Sequence, residues 1–256
     1  MADSLAALVL AAGAGTRLAP LTRLRPKALC PVDGRPLVDL ALERVAPLVA
    51  PGRVAVNVHH GRAQMEEHLA GRAHLSIEEH EALGTAGGVA AVAEWLGDDG
   101  LVVVNADTWC RGDDASILEG WDGERVRVVV EGAPELGPRS RIVASVMPAA
   151  AVRRLRPEPS GLYEVCWRDA AAAGRLDVVG WSGRLVDCAT PRDYLVANLV
   201  ASDGRSVVGE GASVDGDLDR SVVWPGATVR AGEALVGAIR ASAEMTVLVR
   251  PLPAAG

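Results

Sequence analysis

The chain has 256 residues, a formal net charge of −7 and a single lysine among its 26 basic residues. This length can bury a full core and allows one domain or one domain with an appendage. The acidic balance argues against binding a nucleic-acid polymer, which needs a broad basic face, whereas a few local cations suffice for a nucleotide.

The four cysteines are widely spaced and include no C-x-x-C pair. This spacing argues against a disulfide framework and predicts a reducing, cytoplasmic location.

The N-terminus has neither a basic segment nor a long apolar one, and no stretch reaches about eighteen uninterrupted apolar residues. We therefore expect neither a signal peptide nor a membrane span.

The first half of the chain alternates short apolar strands with segments of helical periodicity. The predicted strands are 5–12, 54–58, 75–77 and 101–104, and the predicted helices are 36–49, 62–69 and 87–96. This alternation predicts an α/β, Rossmann-like layered domain with a mostly parallel central sheet. Further along, strands are predicted at 125–130, 142–146, 176–179 and 184–186, and helices at 164–173 and 192–201.

After Asp203-Gly204 the pattern changes, because aliphatic residues recur partly at six-residue intervals with glycines between them. Such spacing is typical of a β-helix, and about two turns fit before Pro251. We therefore expect a main domain at 1–203 and a short β-helix-like segment at 204–250. So short a solenoid cannot cover its own ends, so it should pack on the main domain or on a partner chain. The alternative is an irregular glycine-rich tail.

One segment stands out: Leu8-Val-Leu-Ala-Ala-Gly-Ala-Gly-Thr-Arg-Leu-Ala-Pro-Leu-Thr-Arg-Leu-Arg-Pro-Lys27. Gly13 and Gly15 allow backbone N–H groups to approach an anion closely, and four cations follow. This pattern predicts a phosphate-binding loop. The Walker A sequence is absent, and Leu18 stands where a dinucleotide fingerprint requires its third glycine.

Lys27 is the only lysine in the chain, so arginine serves at the other 25 basic positions. An ammonium is a compact, strongly hydrated point charge, whereas a guanidinium is a planar fork. Its retention here favours a site crowded with phosphate oxygens. The alternative is a surface lysine left by chance.

The string G-A-G-T-R-x-x-P-L-T-x-x-x-P-K resembles the signature of the sugar-1-phosphate nucleotidylyltransferases. These enzymes make nucleotide-sugars and pyrophosphate from a nucleoside triphosphate and a sugar 1-phosphate. Further segments resemble the same family in the same order: Leu83-Gly-Thr-Ala-Gly-Gly88, Val104-Asn-Ala-Asp107 and Asp187-Cys-Ala-Thr-Pro191. The glycine-punctuated tail is similar to the left-handed β-helix that many members carry.

The resemblance implies a Mg²⁺ site at Asp107 and Asp187, whose carboxylates would hold the ion and leave positions for phosphate and water. It also implies that Arg17 stabilises the departing pyrophosphate and that Lys27 contacts the oxygens at the reaction centre. Taken singly, each aspartate has the alternative of being a helix cap or a solvated side chain.

The resemblance implies a nucleotide site formed by Leu10, Ala11, Ala12, Gly13, Gly15, Thr16, Glu79, Gly84 and Thr85. A carboxylate only accepts hydrogen bonds, so Glu79 could take both donors of a guanine edge or one donor from uracil or thymine. It leans towards guanine without deciding the base. The alternative is that Glu78 to Glu81 form a solvated acidic run.

The sequence also departs from the family pattern. Alanine stands at Ala106 and Ala189, where the family often has glycine, and no E-K-P-like segment is present. Glu164 is the candidate to bind the sugar phosphate instead. The middle of the chain looks most like guanylyltransferases acting on mannose or heptose 1-phosphates and uridylyltransferases acting on N-acetylmuramate 1-phosphate.

The expected partners are a nucleoside triphosphate and a sugar 1-phosphate, with a homo-oligomer formed through the tail as a further expectation. Two hypotheses from other classes stay open. One is a non-catalytic subunit that senses nucleotide-sugar, although all four charged candidates are present. The other is an assembly module, which would account for the tail but not for the phosphate loop.

Overall fold

The computed structural model describes residues 4–250, and they divide into two compact units. The first unit comprises residues 4–14, 40–106 and 110–185, and the second comprises residues 15–39, 107–109 and 186–250. Both units draw on separated stretches of chain. The predicted boundary between residues 203 and 204 stays a prediction.

A seven-stranded sheet forms the centre of the first unit. Its strands, from one edge to the other, are Leu176–Trp181, Val126–Glu131, Ile142–Met147, Gly100–Asn105, Leu5–Leu10, Val54–Val58 and His74–Ile77. Only Ile142–Met147 runs antiparallel to its neighbours. The α/β class and the mostly parallel sheet are therefore confirmed. The inner strands are almost wholly apolar, as expected for strands buried on both faces.

The helices of this unit are Arg62–Leu69, Gly84–Ala91, Ala93–Leu96, Ala149–Val152 and Arg168–Ala172, the last preceded by a π-helical turn at Tyr163–Trp167. A helix at Leu37–Val45 begins in the second unit and continues into the first. One apolar cluster joins Leu8, Val103 and Val128 of the sheet to Val89 and Trp167 of the helices. This cluster fixes the helices against one face of the sheet, and it contributes the main hydrophobic stabilisation of that face.

The second unit contains three short 3-10 turns, Thr16–Leu18, Leu21–Arg23 and Lys27–Leu29, and the helix Pro191–Ala201. A two-stranded hairpin joins Pro31–Val32 to Arg35–Pro36. Two further strands, Thr108–Arg111 and Arg184–Asp187, contain residues of both units. The short turns carry no long periodicity, so the sequence pattern did not predict them.

The tail consists of short strands in three parallel ladders. Each turn of chain returns beside the preceding one: Val207 pairs with Val222, Ser213 with Thr228, and Asp217 with Ala234. The third turn adds Ala238–Arg240, and the last strand, Thr246–Leu248, pairs with it in antiparallel orientation. Val223, Val229 and Leu235 form a small apolar core between the ladders.

No helix within residues 4–250 combines the length and the apolar character that crossing a bilayer would need.

Candidate active site

Lys27 is held by the two aspartates that the sequence singled out. Its Nζ lies 2.7 Å from Asp107 Oδ2 and 3.5 Å from Asp187 Oδ1. The lysine side chain is only 8% exposed, whereas the side chains of Asp107 and Asp187 are 41% and 47% exposed. The second unit therefore brings three predicted site residues together, with the ammonium beneath and the two carboxylates open to solvent.

Local backbone contacts fix the two acidic residues. The N–H of Cys188 donates to the carbonyl of Asp107 at 3.1 Å, which joins the two segments directly. Just beyond, Thr190 caps the helix Pro191–Ala201, because its hydroxyl accepts from the N–H of Asp193 and the Asp193 carboxylate accepts from the N–H of Thr190. This reciprocal cap stops the chain from shifting after Asp187.

The two alanines at family glycine positions are accommodated without strain. Ala106 and Ala189 are both buried, and neither has a positive φ. A left-handed backbone would have been needed to make glycine necessary there. The departure from the family pattern therefore leaves both acidic segments intact.

Burial raises the pKa of the Asp187 carboxyl group. The Lys27 ammonium opposes this rise, the nearby Asp107 carboxylate adds to it, and the Arg17 guanidinium opposes it. Two crowded carboxylates of this kind have more negative charge than one ammonium neutralises. Such a pair of oxygen donors suits a hard divalent cation such as Mg²⁺.

Within residues 4–250, no group of three or more His, Cys, Asp or Glu side chains is arranged to hold a metal ion. Asp107 and Asp187 could thus fill only part of a coordination shell. Mg²⁺ commonly keeps one or two carboxylates and completes its shell with phosphate oxygens and water. The carboxylates of Asp107 and Asp187 fit this mode of Mg²⁺ coordination.

Gly15 leaves the room that the Lys27 stem occupies. Its φ is +61°, and a Cβ added there would lie 2.9 Å from Lys27 Cβ and 3.0 Å from Thr22 Cγ2. Both the left-handed backbone and the close approach favour glycine. Arg17 and Thr16 follow in the next turn and are exposed, so they are accessible to a ligand.

In the first unit, a buried polar bridge fixes the end of the first strand. The N–H of Ala11 donates to Asn57 Oδ1, and Asn57 Nδ2 donates to Glu78 Oε1, both at 2.7 Å. The N–H of Leu83 donates to Glu78 Oε2, also at 2.7 Å. Asn57 and Glu78 are 2% and 3% exposed.

This bridge was not predicted from the sequence, although it had a visible signal. Asn57 is the single polar residue of the strand Val54–Val58, and a buried polar side chain needs a partner. Glu78 and Glu79 differ sharply: Glu78 is enclosed, and Glu79 is exposed with Arg62 Nη1 at 3.8 Å from its Oε1.

The glycine loop before the helix Gly84–Ala91 packs against the chain near Ser160. Gly84 has a φ of +70°, and a Cβ there would lie 2.6 Å from the carbonyl oxygen of Ser160. The N–H of Ala86 donates to that carbonyl at 3.0 Å, and Thr85 Oγ1 accepts from the N–H of Leu162 at 2.9 Å. The predicted residues Gly84 and Thr85 are therefore tied to the segment that carries Glu164.

A cavity of about 220 Å³ collects three of the predicted residues, Leu10, Thr85 and Glu164. Leu10 ends the first strand, and Glu164 is exposed at the cavity mouth beside Gly161. The other predicted residues of this unit are placed as follows: Ala12 is buried, with its carbonyl 3.1 Å from His60 Nδ1, and Gly13 is exposed. The first unit thus links the end of the first strand to the loop at Gly84 and to a cavity.

The family model described as nucleotidyl transferase matches residues 6–127. Residues 6–127 are similar to the nucleotidyl transferase family. This match confirms the family resemblance that the sequence motifs indicated. The matched residues include the first three motif segments. The match ends before the fourth segment, which begins at Asp187.

Two curated relatives are each similar to about half of the chain. An N-acetylmuramate alpha-1-phosphate uridylyltransferase from Caulobacter vibrioides is 40% identical over 134 residues, which are 48% of this chain and 55% of that protein. A mannose-1-phosphate guanylyltransferase from Mycobacterium tuberculosis is 33% identical over 132 residues, which are 49% of this chain and 36% of that protein. The chain therefore spans about half the length of the first relative and about a third of the second.

A solved structure is similar in fold to nearly the whole chain. The protein, from Thermus thermophilus, is described as a mannose-1-phosphate geranyltransferase. The structural alignment covers 96% of this chain and 95% of that chain, with a TM-score of 0.68 and 24% sequence identity. At this identity the likeness supports the fold.

Proposed function

We propose that the protein is a sugar-1-phosphate nucleotidylyltransferase, which joins a nucleoside monophosphate to a sugar 1-phosphate and releases pyrophosphate. The observation that carries this proposal is the contact of the Lys27 ammonium with both Asp107 and Asp187. Two half-exposed carboxylates and a buried cation suit a phosphate-rich reaction centre. The nucleotidyl transferase match and the named relatives support the same class of reaction.

In the proposed reaction, an oxygen of the sugar phosphate forms a bond to the α-phosphorus of the nucleoside triphosphate. The bond from that phosphorus to the oxygen bridging to the β-phosphate breaks, and pyrophosphate leaves with the electron pair. The attacking oxygen is already ionised, so no general base is needed. Lys27 would contact the oxygens at the reaction centre, and Arg17 would stabilise the departing pyrophosphate.

Asp107 and Asp187 are the proposed Mg²⁺ ligands. When bound, the ion would supply positive charge against the phosphates and help to align the two substrates. The two aspartates would also hold the Lys27 ammonium in place until phosphate oxygens compete for it. The two aspartates can serve both purposes because their carboxylates are open to solvent, whereas the Lys27 side chain is buried.

For the nucleotide, we propose the nine residues named from the sequence, with Glu79 as the side chain that reads the base. Its exposed carboxylate suits the two donors of a guanine edge, which favours a guanylyltransferase acting on a mannose- or heptose-like sugar phosphate. The alternative is a uridylyltransferase acting on N-acetylmuramate 1-phosphate or a related sugar. The two relatives include one protein of each kind.

We also propose that residues 204–250 form a short left-handed β-helix through which copies of the chain associate, and that the protein works in the cytoplasm. The three parallel ladders support the first idea. Val208 and Leu248 are apolar and exposed in this segment, at 50% and 61%, which supports association.

The proposal is tested by measuring pyrophosphate release from GTP, UTP, dTTP, ATP and CTP against a panel of sugar 1-phosphates, with and without Mg²⁺. We expect release only when a nucleoside triphosphate, a sugar 1-phosphate and Mg²⁺ are all present. Glu79→Gln should change the base preference without abolishing turnover. If no pair turns over, the proposed activity is wrong and a non-catalytic nucleotide-sugar sensor becomes the better interpretation.

A further inference from the structure

Two adjacent histidines, His59 and His60, follow directly after the strand Val54–Val58. Leu5–Leu10 and His74–Ile77 run parallel to this strand on either side of it, so the three strands end at the same edge of the sheet. Ligands of open α/β sheets bind at this edge, beyond the carboxyl ends of the strands. The histidine pair therefore lies at the edge that carries the proposed nucleotide site.

Each histidine is fixed by a backbone carbonyl from a neighbouring segment. His60 Nδ1 lies 3.1 Å from the carbonyl oxygen of Ala12, and His59 Nδ1 lies 2.6 Å from that of Glu78. A carbonyl oxygen only accepts hydrogen bonds, so both Nδ1 atoms carry the hydrogen and donate it. The two rings are also in edge-to-face contact, with their centres 4.6 Å apart. His59 thus restrains the ring of His60, which is otherwise exposed.

The hydrogen bond from His60 fixes a whole peptide group rather than one oxygen. The carbonyl of Ala12 and the N–H of Gly13 belong to the same planar trans peptide, in which they point in opposite directions. Donation by His60 to the carbonyl therefore turns the Gly13 N–H away from the imidazole. Gly13 is exposed, and within residues 4–250 no group accepts a hydrogen bond from its N–H. This donor is thus held in one direction and is available to a ligand.

Gly13 itself is not required by the folded chain. Its φ lies outside the left-handed region, and a Cβ added there would meet nothing within 4 Å. A residue without a side chain is useful where a ligand approaches the backbone closely, but glycine also leaves the peptide before it free to rotate. A peptide of this kind needs an outside restraint if its N–H is to keep one direction. His60 supplies that restraint.

The peptide group between Leu10 and Ala11 provides a contrast. Its N–H donates to Asn57 Oδ1 at 2.7 Å, and its carbonyl accepts from the N–H of Ala106 at 3.0 Å. The protein satisfies both ends of this group, so it has no free donor for a ligand. The glycine peptide two residues further along has His60 at its carbonyl and solvent at its N–H. Only the latter arrangement leaves a fixed donor pointing outward.

We propose that His60 is a positioning residue, which holds the Ala12 carbonyl and thereby directs the Gly13 N–H towards an anionic oxygen of the nucleotide's phosphates. Hydrogen bonds from an N–H to an ionised oxygen are stronger than neutral ones, so the direction of this donor matters for affinity. The inference rests on the proposed function for the identity of the ligand, but binding can be measured separately from turnover. The sequence pattern singled out neither histidine.

The test compares His60→Ala, which removes the donor, with His60→Asn, whose side-chain amide can still donate to the Ala12 carbonyl. The control is His74→Ala. His74 is an exposed histidine of the same unit whose ring stacks on Trp95, and it begins its strand, at the opposite edge of the sheet. Binding of GTP, UTP, dTTP, ATP and CTP with Mg²⁺ is measured by calorimetry. Pyrophosphate release and melting temperature are measured for each variant.

We expect His60→Ala to weaken binding of each triphosphate that the wild type binds by about tenfold, which corresponds to one misdirected hydrogen bond. The factor should not depend on the base, because the phosphates are common to all five. The KM for the triphosphate should rise by the same factor, whereas kcat and the KM for the sugar 1-phosphate should stay within about twofold.

His60→Asn should bind triphosphates within about twofold of the wild type, because the donor to Ala12 is kept. His74→Ala should match the wild type. Both His60 variants should melt close to the wild-type temperature, since His60 is exposed.

Unchanged triphosphate binding in His60→Ala overturns the inference, even where turnover supports the proposed function. Equal weakening in His60→Ala and His60→Asn also overturns it, because donation to the Ala12 carbonyl would then not be the property that matters. Weakening that follows a fall in melting temperature across the variants overturns it as well, since a structural role alone explains both. If the wild type binds none of the five triphosphates, the inference and the proposed function are both wrong. Affinity that depends on His60 without any pyrophosphate release supports the inference and contradicts the proposed function instead.

Discussion

Asn57 and Glu78 form a side-chain pair in which Asn57 Nδ2 donates to Glu78 Oε1 at 2.7 Å, and both residues are almost fully buried. The remaining oxygens of the pair accept from the N–H groups of Ala11 and Leu83. Gly88 makes room for it, since a Cβ there would lie 2.7 Å from Asn57 Nδ2. One buried pair therefore sets the end of the first strand against the loop before Gly84.

The first prediction concerns the carboxylate of this pair. Glu78→Gln replaces an acceptor with an amide that must present a donor to Asn57 Nδ2 or to the N–H of Leu83. One buried donor is then left unpaired, so the free energy of unfolding should fall by about 1–3 kcal/mol. Urea denaturation measures this change.

The neighbouring residue provides a matched control. Glu79→Gln makes the same chemical change on an exposed side chain, and we expect a change within about 0.5 kcal/mol. Equal loss of stability in the two variants would contradict the structural role of Glu78.

The second prediction separates backbone strain from displacement of the lysine. Gly15 and Gly34 both have positive φ, at +61° and +77°. Of the two, only a Cβ at Gly15 approaches other side chains, those of Lys27 and Thr22. Alanine should cost roughly 1–2 kcal/mol of stability at each position because of the left-handed backbone. Only Gly15→Ala should also lower turnover, since it displaces Lys27.

Stability of the two variants is measured by urea denaturation and turnover by pyrophosphate release. Comparable turnover in Gly15→Ala and Gly34→Ala would show that the close approach to Lys27 has no effect on the reaction.

Much of the fold follows from apolar patterning. The strand Val54–Val58 and the helix Arg62–Leu69 occur at the predicted residues. The strand is a short apolar run, and the helix buries Met65 and Leu69, which are four residues apart. The turns between residues 16 and 29 have no such pattern, since each holds only three residues. Predicted helix 164–173 begins instead as a π-helical turn, a difference that periodicity does not register.

The candidate site was predicted unevenly for a related reason. Lys27 stood out as the only lysine, and the family resemblance pointed to Asp107 and Asp187. The structure brings the three residues together. The sequence did not single out Glu78, because its neighbour Glu79 has the same side chain. Only the packing of the folded chain distinguishes the two. Composition can identify a rare residue, whereas burial decides between adjacent identical ones.

The third prediction concerns the two proposed metal ligands. Asp107→Asn and Asp187→Asn keep the shape of each side chain and remove its charge, so each should lower turnover at least about a hundredfold. Asp215→Asn, an exposed aspartate of the same unit, is the control and should keep near-native rates. Near-native rates in all three variants would show that the ligand assignment is wrong.

The fourth prediction uses the thiol of Cys30. Burial raises the pKa of Cys30 from its ordinary 9.0 to about 12, against the opposing charges of Arg25 and Lys27. Because the pKa of Cys30 is higher in the folded protein than in the unfolded one, the neutral thiol favours the folded state. This contribution to stability is complete below pH 9 and is lost as the pH rises towards 12. Between pH 8 and pH 10 it should lower the free energy of unfolding by about 1.4 kcal/mol.

Urea denaturation of the wild type and of Cys30→Ala at both pH values isolates this contribution. The variant starts from a lower stability because it leaves a small cavity, but its decline over this range should be smaller by the stated amount. An identical decline in the two proteins would contradict the buried, neutral thiol.

The last prediction concerns Trp224, through which the tail joins the segment that carries Lys27 in the second unit. The Trp224 indole donates to the Tyr194 hydroxyl at 2.9 Å, that hydroxyl donates to the carbonyl of Pro31, and the Arg25 guanidinium lies 4.5 Å from the indole ring centre. Trp224→Ala should therefore cost about 3–5 kcal/mol and lower turnover, whereas Val236→Ala at an exposed position should change stability by less than about 0.5 kcal/mol. Deleting residues 205–256 should have a similar effect, because it removes the same indole. If the truncated protein keeps wild-type melting and turnover, the tail does not support the phosphate loop.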